Sequence, residues 1–119
     1  MSNSHGRNDL AQAVQSLIAG DLEAAHMIAQ AHEGEPLADS IHAIIHRREG
    51  DYSNSLYWWR RVGDRAPEEL RAIYGTDPAD FVRRRQGALE GSAEAEECRR
   101  IEAEELKVLG TLVEAPHNA

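Results

Sequence analysis

Residues 41–62, Ile41-His42-Ala43-Ile44-Ile45-His46-Arg47-Arg48-Glu49-Gly50-Asp51-Tyr52-Ser53-Asn54-Ser55-Leu56-Tyr57-Trp58-Trp59-Arg60-Arg61-Val62, read as two helices joined by a tight Gly-Asp turn. Before the turn, Leu37, Ile41, Ile44 and Ile45 recur at helical spacing. After it, Tyr52, Ser55, Leu56, Trp59 and Val62 do the same. Gly50 suits a helix stop, and Asp51 suits the cap of the next helix. The stretch holds both tryptophans, two of the three tyrosines and four of the thirteen basic residues. It therefore decides the fold class and concentrates the reactive side chains.

Working outward, the same grammar repeats. Leu10, Val14, Leu17 and Ile18 predict a helix from Asn8 or Asp9 to Ala19, closed by Gly20, with Asp21 capping a second helix over 22–32. Pro36 suits the first turn of a third helix, 37–49, and a fourth follows over 52–62. Gly63 to Pro67 reads as a linker. A short helix is predicted at 67–74, with Glu68 and Glu69 in its first turn, where the dipole favours acids. Asp77-Pro78 opens another, ending between Gln86 and Leu89. Ser92 caps the last, 92–114, whose face is centred on Ile101, Val108 and Leu112, with Cys98, Leu109 and Val113 beside them. No segment alternates convincingly between apolar and polar residues. The expectation is an all-α single domain over 8–114: two helical hairpins followed by three further helices, with disordered tails at 1–7 and 115–119.

Length fits one domain with one modest core. The net charge of −8 argues against general nucleic-acid binding, which needs a basic surface. The charge is uneven: residues 47–85 carry nine Arg against seven acids, a net of +2, between two acidic ends at −5 each. No signal peptide and no long apolar run is present, so a cytoplasmic location without a membrane partner is expected. Cys98 is the single cysteine, which excludes an internal disulfide; it is expected on an apolar helix face as a small hydrophobe.

The hairpins echo one another. Gly20-Asp21-Leu22 and Gly50-Asp51-Tyr52 lie thirty residues apart. Ala13 and Ala43 precede the glycines by seven positions, and Ala25 and Ser55 follow them by five. Ala43, Gly50-Asp51-Tyr52, Ser55, Trp59 and Pro67 resemble the tetratricopeptide repeat, though with a shorter period and Ala29 in place of an aromatic in the first copy. The string His42, Ala43, His46, Arg47, Glu49, Gly50, Asp51, Asn54, Tyr57, Trp58, Arg60 and Arg61 also resembles a group of small helical proteins. Both resemblances imply a helical fold, and the second, confined to Ala31–Gly63, implies no reaction.

Two constellations could carry chemistry. His42 and His46 are one helical turn apart on one face, a geometry that binds zinc through two imidazoles. Glu49, or His26 or His32 from a facing helix, could complete the set. The zincin motif is excluded, because Ala43 stands where it needs Glu. The alternative to ligation is a pair of structural histidines. His32, on the core side of its helix, suits a satisfied core histidine. On helix four, Arg61 and Tyr57 form an i,i+4 pair beside Trp58 and Arg60, a combination suited to carboxylate or phosphate. Against this, Arg47, Arg48, Arg60 and Arg61 would simply pair with Glu49, Asp51 and other acids across the hairpin.

The leading expectation is a non-enzymatic binding module. It would take an acidic peptide or small anion on a face of His42, His46, Tyr57, Trp58, Arg60 and Arg61, with no cofactor. The alternative is a small metal-dependent or acid–base enzyme using His42, His46 and Glu49. A homodimer through the apolar face of the last helix is a third possibility.

Overall fold

A computed structural model of the chain describes residues 2–114, with no strand among them; the expected tail at 115–119 lies outside the described residues. Helix α1 is Ser2–Ala19, α2 Leu22–Ala31, α3 Pro36–Arg48 and α4 Tyr52–Val62. A single 3-10 turn at Gly63–Arg65 occupies the expected linker, and α5 (Glu68–Tyr74), α6 (Pro78–Gly87) and α7 (Ala93–Glu114) follow. The backbone of α1 is helical back to Ser2, into the segment expected to be a tail.

The two Gly-Asp turns are built alike. Gly20 N–H donates to Leu17 C=O and Asp21 N–H to Ser16 C=O; Gly50 and Asp51 do the same to Arg47 and His46. This is the Schellman closure, and it needs the left-handed φ of +84° and +82° that glycine adopts without strain. In each turn the aspartate then accepts the amide of the residue three positions on, Ala24 or Asn54, and so starts the next helix. Helix stop and helix start therefore occupy two consecutive residues, which folds α1 onto α2 and α3 onto α4.

The small residues at the crossings are fully buried: Ala13, Ala25, Ala43 and Ser55. Ser55 Oγ donates to the Ala43 carbonyl across 2.7 Å, so its hydroxyl is satisfied at the closest approach of α3 and α4. Pairing of α2 with α3 joins the hairpins, α6 packs on α4, and α7 runs back along α5 to α1. The closing helix thus covers the open side of the hairpin stack.

Two expectations need correction, for Ile18 and for the face of α7. Ile18 is exposed, not on the core face of α1. Trp58 is buried together with Trp59. Adjacent side chains on a helix diverge by about 100°, and α4 is covered on two sides, by α3 over Trp58 and by α5 and α6 over Trp59. The buried face of α7 is Ala95, Cys98, Glu105, Leu109 and Val113, with Ile101, Val108 and Leu112 only half-buried beside it. The buried face packs within the chain against α1 and α5.

Cys98 is wholly buried, and burial pushes its thiol above the ordinary value. In the native protein it is expected to resist thiol-specific reagents, and to react promptly in denaturant. Fast native labelling would contradict this packing of α7. Among the described residues no helix is long and apolar enough to cross a membrane.

Candidate metal centre

The core stripe of α3 contains more than hydrocarbon. Ile41, Ile44 and Ile45 are fully buried, but so are Asp39, Ser40 and, almost completely, His42. Ser40 is satisfied by the Pro36 carbonyl and Asp39 by the Gly34 amide. His42 has no such local partner. Its ring stacks on Trp58 of α4, centroid to centroid 4.1 Å, and on His46 at 4.9 Å. From α2, His26 approaches edge-on, at 4.6 Å from His42 and 5.3 Å from His46.

The three histidines each offer a nitrogen, and these nitrogens lie within 4.8 Å of one another. The closest pair, His26 Nε2 and His42 Nε2, is 2.9 Å apart, so one ring must donate a proton to the other. Two lone pairs cannot share that distance without a proton or a cation between them. Tetrahedral zinc with N–Zn of about 2.0–2.1 Å would set its nitrogens roughly 3.3 Å apart. The cluster brackets that spacing, and side-chain rotation of about an ångström converts one arrangement into the other.

Electrostatics prepare His42 as a ligand. Burial, followed by the neighbouring His26 and His46, lowers its pKa from 6.5 to about 4. It is therefore neutral at pH 7, and the proton between the two Nε2 atoms has only to pass to a ring's other nitrogen before both can bind a metal. Its Nδ1 is buried without a hydrogen-bond partner. His46 is 12 % exposed, and its Nδ1 lies 3.4 Å from Glu49 Oε1 and 3.6 Å from Asp51 Oδ2. These are ion-pair distances outside hydrogen-bond geometry. Both carboxylates stand on the Nδ1 side of the ring, where second partners of metal-bound histidines are commonly found, and Nδ1 makes no hydrogen bond to either.

Glu49 thus stands behind His46, and the third ring of the cluster is His26. His32 lies elsewhere: its Nε2 pairs with Asp9 at 2.9 Å, at the half-exposed junction of α1 and α2 and outside the core.

The aromatic–basic face is divided by the structure. Tyr57 and Arg61 are exposed and touch: Arg61 Nη1 donates to Tyr57 Oη at 3.1 Å, and its guanidinium lies 4.9 Å from the Trp58 ring. Arg61 also reaches Glu33 at 3.5 Å. His42 and Trp58 are too buried to meet a peptide. Arg60 is exposed beside a separate cavity lined by Trp59 and Pro78. Arg47 and Arg48 pair with α7, with Glu105 and Glu102, and not across their own hairpin. In α6, Arg84 binds Glu94 and Glu97, and Arg85 binds Glu102.

Comparison with protein-family models, with curated proteins and with solved structures gives no match to this chain.

Proposed function

We propose that this protein is a small helical metal-binding domain in which His26, His42 and His46 hold a divalent transition metal of the zinc class. The observation that carries this reading is the convergence of three imidazoles from two helices, one of them buried and held neutral. Imidazole suits zinc, copper and nickel, and disfavours calcium and magnesium. Three protein ligands leave a fourth position for water or another small Lewis base. A water bound there would ionise near neutral pH, which gives the site a capacity for hydrolytic chemistry. Recognition of an acidic ligand, the other reading of this region, narrows to Tyr57 and Arg61, the exposed members of the face.

The test is titration of chelator-stripped protein with zinc by calorimetry. One equivalent is expected to bind with a dissociation constant below a micromolar, and a hundredfold excess over that constant should add about 2.7 kcal/mol of stability. His26→Gln and His46→Gln, both at incompletely buried positions, should weaken binding at least a hundredfold. Copper(II) should quench Trp58 fluorescence, because the ring stacks on a ligand. Zinc affinity unchanged in both variants would remove the reading.

A further inference from the structure

A second polar cavity lies on the other side of the Gly50 turn, between the end of α3, the end of α6 and the middle of α7. It measures about 340 Å³ and is lined by Arg47, Arg48, Arg85, Glu102, Glu49 and Tyr52, among others. Its three guanidiniums hydrogen-bond two carboxylates, Glu102 and Glu105, while a third, Glu49, also lines the cavity. Glu102 Oε2 accepts from Arg47 Nε and Arg85 Nε, each at 3.3 Å. Glu105 Oε1 accepts from Arg47 Nη2 at 2.5 Å and Arg48 Nη2 at 2.7 Å. Glu49 lies 3.4 Å from His46 Nδ1 and forms no ion pair with these arginines within 4.0 Å. Arg47 is the most deeply placed of the three guanidiniums, 2 % exposed.

The donors are in excess too. Each guanidinium has five N–H groups and no acceptor. Arg47 Nη1 and Arg48 Nε are buried with no hydrogen-bond partner. The Phe81 ring, 4.9 Å from the Arg47 guanidinium, and the Tyr74 ring, 5.9 Å away, offset some of the charge but accept no strong hydrogen bond. Buried guanidinium donors without partners, on residues that line a polar cavity, suit an anion with several acceptor oxygens.

We propose that this cavity binds a small oxyanion, with phosphate the best match, through Arg47, Arg48 and Arg85. A phosphate group offers oxygens in several directions, which suits guanidinium forks approaching from α3 and α6. The site is independent of the histidine cluster. It does share the α3–α4 turn, since Glu49 borders the cavity and faces His46.

The experiment is a titration of chelator-stripped full-length protein with inorganic phosphate, against chloride at matched ionic strength and against acetate. Stripping the metal keeps phosphate from binding through it. The expected result is a saturable rise in the melting temperature with phosphate, absent with chloride and smaller with acetate. Arg85→Gln, which leaves both arginine hydrogen bonds to Glu105 intact, should weaken phosphate binding at least tenfold. If that variant does not fold, the arginine Nε–H spectrum of the wild-type protein decides: phosphate should shift the Arg48 and Arg85 resonances and leave Arg61 unmoved. Equal effects of phosphate and chloride, an unchanged affinity in Arg85→Gln, or a shift confined to Arg61 would each overturn the proposal. A larger effect of acetate than phosphate would overturn the choice of phosphate.

Discussion

Glu105→Ala is expected to destabilise the protein by about 3–5 kcal/mol, a large part of the total for a domain of this size. Glu105 is fully buried in α7, and both of its oxygens are used. Oε1 takes Arg47 and Arg48, and Oε2 takes the Tyr74 hydroxyl. Burial alone would raise its pKa, but the two guanidiniums outweigh burial and hold the carboxyl below the ordinary value. The Tyr74 phenol, buried and beside that charge, is pushed well above its ordinary value and remains a donor. Removing Glu105 strands Arg47 in the core with Glu102 as its remaining counter-charge. The loss therefore comes from an unpaired buried cation more than from a missing contact. Arg47→Met combined with Glu105→Leu should accordingly cost less than Glu105→Ala alone, since neither buried charge is then left. Urea denaturation followed by circular dichroism checks both. A cost below about 1 kcal/mol for Glu105→Ala would show that the ion cluster does not hold α7 to α3.

Much of the architecture was legible because its signals are local. Glycines that must be left-handed, aspartates that must cap, and apolar residues at helical spacing fix helix bounds within a few residues. All seven α-helices among the described residues were expected, though α1 starts at Ser2, well before the expected Asn8 or Asp9. The misreading of α7 had a local signal as well. Cys98, Glu105, Leu109 and Leu112 fall on nearby faces, so a glutamate stands where the pattern asks for an apolar side chain. An acid in that register announces a buried cation. Arg47 is that cation, but it lies 58 residues away in sequence, and no local rule pairs them.

The histidine cluster was half legible for the same reason. The spacing of His42 and His46 places two rings on one face of one helix, a property of α3 alone. The third ring depends on which turn of α2 faces them, and packing of Ala25 and Ala29 decides it by bringing His26 forward and leaving His32 to Asp9. The aromatic–basic face divides for a related cause. Residues 57–61 wrap most of the way round α4, so its side chains meet three different environments.

Acid should unfold the metal-free protein earlier than its carboxylates alone require. The folded chain holds His42 neutral down to about pH 4, whereas in the unfolded chain it titrates near 6.5. Between those values the unfolded state binds a proton that the folded state refuses. Stability therefore falls as pH drops from about 6.5 to about 4, and the His42 contribution is fully lost below that. A difference of this size corresponds to about 3 kcal/mol. Asp51 and Glu105, whose carboxyls are held below their ordinary values, add their losses at still lower pH. His42→Phe keeps an aromatic ring against Trp58 and removes the titrating group. Denaturant melts at a series of pH values should show a steep slope between pH 6.5 and 4 in the wild type and a nearly flat one in that variant. Zinc should stabilise the wild type at pH 7, because it binds the folded cluster and not the unfolded chain. A flat wild-type profile would mean that His42 is solvated well enough to carry charge, and the preparation of the site for a metal would fail with it.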